Sequence, residues 1–172
     1  MVFVITGDGK GKTTSSMGML IRALGNGLKC SVFQFIKKDC ANTGEYHVFN
    51  NLGVDWKSFG EGFTWAQESL EPTRVKCLEG WNEFTEKTQS KIYQMMILDE
   101  FTYVLENAFL DKNTVLDFLK KNYKGKDDVH VVITGRRACK ELVDLADTVS
   151  EIQEVKHHFN TNGNKAVKGI EF

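Results

Sequence analysis

The most informative stretch of the sequence is a glycine-rich segment near its start, Thr6-Gly-Asp-Gly-Lys-Gly-Lys-Thr-Thr14. Glycines let a backbone turn several N–H groups toward one anion, while a lysine adds a mobile positive charge and a threonine offers a hydroxyl to Mg²⁺. We call this segment the phosphate loop and predict that it binds nucleotide phosphates, with Lys12 as the cation and Thr13 at the metal. The predicted nucleotide-binding residues are Gly7, Asp8, Gly9, Lys10, Gly11, Lys12, Thr13 and Thr14.

The phosphate loop departs from the usual pattern at its first position. The consensus G-x-x-x-x-G-K-[ST] places its first glycine at position 6, where this chain has Thr6. Two interpretations therefore stay open at this point. The loop either holds phosphates differently from an ordinary nucleotide triphosphatase, or it is only a glycine-rich turn between a strand and a helix.

Two acidic residues follow an apolar run further along the chain, in Gln94-Met-Met-Ile-Leu-Asp-Glu100. A buried strand that delivers a carboxylate to nucleotide-bound Mg²⁺ has this form, although an apolar run that ends in acids is common in solvated strand ends as well. Together with the upstream phosphate loop, the pair predicts a metal site. Either Asp99 or Glu100 would bind Mg²⁺ or Mn²⁺, and the other could orient a substrate hydroxyl.

Arg136 follows the apolar run Val131-Val-Ile-Thr-Gly. A guanidinium at a strand end can grip a phosphate with two hydrogen bonds, so we predict that Arg136 binds phosphate. The neighbouring Arg137 leaves open the alternative of a solvated basic turn.

The segment Gly60-Glu-Gly-Phe-Thr-Trp65 places two large aromatic residues in a loop that contains two glycines. Aromatic side chains in such a loop either cap the core or form a binding surface. The residue types alone do not decide between these interpretations for Phe63 and Trp65.

The elements that would position these residues alternate between strands and helices. Helical spacing begins at Thr13, with apolar residues at Met17, Leu20, Ile21 and Leu24, and recurs over Glu71–Tyr93, with Val75, Leu78, Trp81, Phe84 and Ile92. Short apolar runs predict strands over Met1–Thr6, Ser31–Ile36, Val54–Phe59, Gln94–Leu98 and Val129–Thr134. Nearly continuous apolar strands separated by helices predict an α/β fold, a three-layer P-loop domain with a mostly parallel central sheet. The carboxyl ends of the strands, where such sheets bind ligands, would then carry the candidate residues.

Composition limits the class of protein. The 172 residues suffice for a single domain over 1–172, and 22 basic against 23 acidic residues give no electrostatic reason to expect nucleic acid or an anionic membrane as partner. The four cysteines form no CxxC pair, which indicates reduced thiols, and the absence of a signal-like or spanning apolar run predicts a cytoplasmic location.

With these features in place, the chain resembles the ATP:corrinoid adenosyltransferases of cobalamin biosynthesis and salvage, the CobA, CobO and BtuR family. The resemblance runs from Val4 to the C-terminus, and the threonine at position 6 fits it, because the family's loop characteristically begins Thr-Gly. Its further blocks are Phe33-Gln-Phe-Ile-Lys37, Gly62-Phe-Thr-Trp65, Leu98-Asp-Glu-Phe-Thr-Tyr103, Ile133-Thr-Gly-Arg136, Leu145-Ala-Asp-Thr-Val-Ser-Glu151 and Val155-Lys-His-His-Phe159.

The resemblance implies a homodimeric enzyme with a RecA-like fold that transfers the adenosyl group of ATP to Co(I) of a corrinoid and releases triphosphate. It implies that Lys12 and Thr13 hold triphosphate and metal, and that Asp99 and Glu100 serve the metal and the ribose. Corrinoid binding would fall to Gly62, Phe63, Thr64 and Trp65, whose aromatic rings displace the lower cobalt ligand, and a flavoprotein reductase is a possible electron donor. Lys12, Phe63, Trp65 and Arg136 are the residues expected to act in catalysis.

Two departures from the family pattern bear on substrate closure. Family members commonly carry an N-terminal extension that folds over an active site of the dimer, whereas this sequence begins at its first strand, and the stretch Asn160-Thr-Asn-Gly-Asn-Lys165 is longer than usual.

Two other functions compete with adenosyl transfer. An ordinary P-loop ATPase or kinase would act at the γ-phosphate, and a nucleotide-dependent interaction module would bind ATP without turnover.

Overall fold

The computed structural model describes residues 1–38, 43–62, 69–157 and 167–170. Its strands are β1 (Val2–Thr6), β2 (Cys30–Phe35), β3 (Asp55–Phe59), β4 (Met95–Asp99), β5 (His130–Thr134) and β6 (Thr148–Glu151). They form one sheet in the order β3-β2-β4-β5-β1-β6, and every neighbouring pair is parallel. The first five strands begin and end within one residue of the predicted bounds, which confirms the α/β prediction.

Helices cover both faces of the sheet and give the molecule three layers. The helices are α1 (Lys12–Gly25), α2 (Gly44–Asn51), α3 (Glu71–Ser90), α4 (Phe101–Glu106), α5 (Lys112–Asn122) and α6 (Lys140–Leu145). Helices α1 and α2 share one apolar core with the sheet, and α3 to α6 share the other. Strands β2 and β4 are buried along their whole length because they are covered on both faces, which explains their nearly continuous apolar sequence.

Some of the predicted helix faces were wrong. Ile21 is 54% exposed on α1, whose buried face instead includes Ser16 and Ala23. On α3, Val75 and Leu78 are 44% and 41% exposed, because the face toward the sheet combines small or polar residues with two aromatic ones. That buried face consists of Thr73, Cys77, Gly80, Trp81 and Phe84.

Strand β6 was not predicted, because Thr-Val-Ser-Glu lies exposed at the edge of the sheet and shows no apolar pattern. The cysteine prediction is confirmed for the three that the structure describes: Cys30, Cys77 and Cys139 are free thiols. Among the described helices, none is both long and apolar enough to cross a membrane.

Candidate nucleotide site

The phosphate loop connects β1 to α1, and a neighbouring segment of the chain packs so closely against two of its residues, Gly7 and Gly9, that only glycine fits there. Gly7 has φ 98°, and a Cβ there would lie 2.4 Å from the carbonyl oxygen of Ile152. The Gly9 N–H donates to that same oxygen at 2.7 Å. The segment after β6 therefore packs against the loop, and it leaves no room for a side chain at either glycine.

Thr6 stands where the consensus has its first glycine, and the structure shows why a threonine fits. Thr6 is the last residue of β1, so its backbone is extended and needs no glycine. Its hydroxyl oxygen accepts a hydrogen bond from the N–H of Ala138 at 3.1 Å, which ties the end of β1 to the loop after β5. The reversal of the chain takes place one residue later, at Gly7.

Lys12 lies inside the loop that precedes it. Its side chain is 8% exposed, and its Nζ donates to the carbonyl oxygen of Gly9 at 2.7 Å. Burial lowers the pKa of Lys12 below its usual value, and the nearby acids only partly oppose this effect. An anion in the loop would add charge stabilisation that this ammonium otherwise lacks.

Asp99 ends β4 and is fully buried, yet its carboxylate is well supplied with donors. Its Oδ1 accepts hydrogen bonds from the hydroxyls of Thr13 at 2.8 Å and Thr134 at 2.7 Å. Its Oδ2 accepts from the Nε2 of Gln34 at 3.1 Å. The structure thus brings together Thr13 and Asp99, two residues that the sequence predicted for one metal site.

Glu100 is held in a left-handed backbone conformation, with φ 58°. Its N–H donates to the hydroxyl oxygen of Thr134 at 3.0 Å, and its Oε2 is buried with no hydrogen-bond partner in the described part of the chain. Burial, and secondly the charge of Asp99, raise the pKa of Glu100 above its usual value. A buried acceptor without a donor is costly, which favours a ligand group or a metal at this position.

A cavity of about 210 Å³ opens beside these residues at the carboxyl edge of the sheet. It is lined by the end of the phosphate loop, the start of α1, Glu100 and residues of β2 and its extension, among them Gln34 and Lys37. A wider cavity of about 730 Å³ lies between α4 and α5, but it contains no residue of the phosphate loop. The smaller cavity is therefore the candidate nucleotide site.

Sequence comparison agrees with this geometry. The family described as ATP:corrinoid adenosyltransferase BtuR/CobO/CobP matches residues 1–172. The chain is 36% identical over 172 residues to the corrinoid adenosyltransferase CobA of Salmonella typhimurium, covering 100% of this chain and 85% of that protein. It is 37% identical to the corrinoid adenosyltransferases of Escherichia coli over 172 residues and of Pseudomonas aeruginosa over 174 residues, covering 100% of this chain and 85% and 83% of those proteins. The chain belongs to this family.

In this member of the ATP:corrinoid adenosyltransferase family, Arg136 is not among the residues that line the candidate nucleotide cavity. Its side chain is exposed, and its carbonyl oxygen accepts a hydrogen bond from the Thr102 hydroxyl at 2.5 Å. It borders a more open cavity together with Asp8 of the phosphate loop and Glu151. The predicted phosphate contact of Arg136 stays a prediction.

The predicted corrinoid-binding residues of this family member lie mostly outside the described residues, since Phe63, Thr64 and Trp65 fall there. Gly62 is described, with φ 95°, and its N–H donates to the carbonyl oxygen of Ile36 at 2.9 Å. The start of the aromatic loop is therefore attached to the end of β2.

The sequence alone did not indicate a role in the site for three residues of this adenosyltransferase family member: Gln34, Lys37 and Thr134. Each lies at or just beyond the carboxyl end of β2 or β5, the same kind of position that identified Asp99. Their relevance depends on the strand order, because β2 and β5 flank β4 in the sheet. The sequence does not reveal that order.

Proposed function

We propose that the chain transfers the 5′-deoxyadenosyl group of ATP to Co(I) of a corrinoid and releases triphosphate. The observation that carries this proposal is the phosphate loop in a chain of this family. Lys12 lies inside the loop, and the Thr13 hydroxyl donates a hydrogen bond to Asp99. In the reaction, the electron pair of Co(I) forms the bond to the 5′ carbon of the ribose. The bond from that carbon to the triphosphate oxygen breaks, and triphosphate leaves with its electrons.

No side chain has to act as a nucleophile in this reaction, so the protein contributes position and charge. Lys12 and the N–H groups of the phosphate loop would bind the triphosphate and stabilise the charge that develops on its leaving oxygen. Arg136, which borders a neighbouring cavity together with Asp8 of the phosphate loop, would reach the same phosphates. Glu100, whose buried Oε2 at the cavity has no hydrogen-bond partner among the described residues, would accept a hydrogen bond from a ribose hydroxyl.

The residues present also fit Mg²⁺ or Mn²⁺. The Thr13 hydroxyl and the Asp99 carboxylate supply hard oxygen donors, and no group of three His, Cys, Asp or Glu side chains in the described ranges could hold a metal alone. Such a donor set suits Mg²⁺, which is usually bound by one or two carboxylates together with substrate phosphates. The ion would neutralise part of the triphosphate charge.

For the corrinoid, the proposal assigns Gly62, Phe63, Thr64 and Trp65, with the two aromatic rings excluding the lower cobalt ligand. The larger assembly is proposed to be a homodimer, with residues 1–172 forming one domain in each subunit. A single sheet that contains strands from both ends of the chain supports the one-domain organisation. The cytoplasmic location and a flavoprotein electron donor stay predictions.

Analysis of the products tests the proposed function directly. With Mg²⁺, ATP and a chemically reduced corrinoid, the protein should give a light-sensitive alkyl-cobalt product and inorganic triphosphate in equal amounts. ADP and phosphate in place of triphosphate would instead establish an ATPase or kinase. ATP binding without any turnover would identify a nucleotide-dependent interaction module.

A further inference from the structure

The chain makes an unusual turn where β2 ends. The N–H of Lys37 donates to the carbonyl oxygen of Phe35 at 2.8 Å, and Ile36 between them has φ 69°. This is a three-residue γ-turn with a positive φ, a rare and strained form. A β-branched residue is especially unsuited to that conformation, so surrounding contacts must impose it.

Strand β3 and the chain that follows it supply those contacts. The N–H of Ile36 donates to the carbonyl oxygen of Phe59 at 3.1 Å, and the carbonyl oxygen of Ile36 accepts from the N–H of Gly62 at 2.9 Å. Gly60 packs directly against the turn, since a Cβ on it would lie 2.1 Å from the carbonyl carbon of Ile36. Both polar backbone groups of Ile36 are thus bonded, and the turn is fixed from one side.

The turn determines where the next side chain lies. Lys37 lines the same cavity as Lys12 and Thr13, and its Nζ is 3.8 Å from the Oδ2 of Asp99. The side chain of the following residue, Lys38, is 72% exposed and pairs with Glu61 at 3.4 Å instead. The strained turn at Ile36 is therefore followed directly by Lys37, which brings a second ammonium group to the nucleotide site.

The contact between Lys37 and Asp99 does not by itself explain this placement. At 3.8 Å it is a long ion pair, and the Lys37 side chain is 43% exposed, so the pair contributes little to stability. Asp99 already accepts three side-chain hydrogen bonds, so its charge does not depend on Lys37 for stabilisation. The ammonium of Lys37 is free to turn from Asp99 to an anion in the cavity, because a lysine stem has four flexible bonds.

We propose that Lys37 is a second phosphate-binding cation, which contacts the triphosphate of ATP from the β2 side while Lys12 contacts it from the loop. This inference rests on the proposed function, because it takes ATP as the ligand. Two ammonium groups at the same cavity would offset the negative charge that Asp99 and Glu100 bring to a site for a polyanion. The strained turn at Ile36 holds the backbone of Lys37 in place for this contact.

The test measures binding of Mg²⁺–ATP and of inorganic triphosphate by titration calorimetry, with no corrinoid present. For Lys37→Ala we expect both ligands to bind about 10- to 100-fold more weakly, as is typical when one charge-assisted hydrogen bond is lost. Lys37→Arg should recover most of the affinity, and the matched control Lys38→Ala should bind as the wild type does. Adenosine, which has no phosphate, should show no difference between wild type and Lys37→Ala.

Each result has a definite meaning. If Lys37→Ala binds triphosphate as tightly as the wild type, while the wild type still forms alkyl-cobalt product, the Lys37 contact is wrong and the proposed function stands. If the wild type binds neither ATP nor triphosphate, the proposed function fails together with the inference. Equal weakening by Lys37→Ala and Lys38→Ala would indicate only a general effect of surface charge and would overturn the specific role of Lys37.

Discussion

Asp99 shows how the site is built at the scale of single residues. A fully buried carboxylate is tolerated only when donors surround it, and here Thr13, Gln34 and Thr134 donate from α1, β2 and β5. Thr134 has a second function, because its oxygen also accepts from the N–H of Glu100, where the backbone is left-handed. One hydroxyl therefore orients both acids of the site.

The hydroxyl of Thr134 gives a sharp prediction. Thr134→Val keeps the shape of the side chain but removes one donor to Asp99 and the acceptor for Glu100, so the free energy of unfolding should fall by about 1–3 kcal/mol. Mg²⁺–ATP should also bind more weakly, because Asp99 and Glu100 lose their common support. Thr134→Ser can form both hydrogen bonds and should restore most of both properties. Urea unfolding and nucleotide titration of the three proteins would check this, and a valine variant equal to wild type in both would contradict it.

For single residues, the sequence predicted those that belong to a continuous motif. It did not predict the contacts between residues that are distant in the sequence and meet only in the folded protein. Lys12, Thr13 and Asp99 follow from the phosphate loop and from one apolar run, and the structure brings them to one place. The Thr6 hydroxyl oxygen accepts a hydrogen bond from the N–H of Ala138, which is 132 positions away in the sequence. No local pattern can indicate such a contact.

Helix α3 shows the same limit at the scale of an element. The sequence predicts its start correctly, but the helix ends at Ser90, where Lys91 adopts a left-handed conformation with φ 55°. Periodicity also placed Val75 and Leu78 on the buried face, although both are exposed. The helix approaches β3 so closely that a glycine, Gly80, faces the ring of Phe59. A close approach through a small residue has no apolar signature, so the facing side of α3 could not be inferred.

Two helical glycines should therefore respond in opposite ways to the same substitution. A Cβ on Gly80 would lie 2.6 Å from the ring of Phe59, so Gly80→Ala should destabilise the protein by about 1–3 kcal/mol through overpacking. Gly18 in α1 is exposed, and outside its own helix backbone no atom of the described residues lies within 4 Å of the added Cβ, so Gly18→Ala should stabilise the protein by about 0.5–1 kcal/mol. Thermal and urea unfolding measure both. If both substitutions stabilised the protein, the close packing of α3 on β3 would be refuted.

At the scale of the whole molecule, the phosphate loop is supported by segments from distant parts of the chain. Ile152 holds it from beyond β6, Ala138 from the loop after β5, and Asp99 from β4. The sheet also joins the first strand to the last, since β1 lies between β5 and β6. Unfolding of any of these elements would therefore remove a contact that holds the phosphate loop in place. Ligand binding and global stability should be linked.

This linkage predicts a large thermal shift. A ligand at about 100 times its Kd stabilises the folded state by about 2.7 kcal/mol. For a domain of this size each kcal/mol raises Tm by about 2–4 °C, so Mg²⁺–ATP or inorganic triphosphate should raise Tm by about 5–11 °C. Lys12→Ala removes the cation inside the loop and should lose most of this shift at the same ligand concentration, whereas Lys38→Ala should keep it.

The shape of the melting curve tests whether residues 1–172 unfold as a single domain. Because the supports of the loop come from both ends of the chain, the whole transition should move to higher temperature as one cooperative step. A curve that splits, with one part shifted by the ligand and another unchanged, would show that residues 1–172 do not unfold as a single domain. A Lys12→Ala variant that shifts as much as the wild type would place the bound triphosphate outside the phosphate loop.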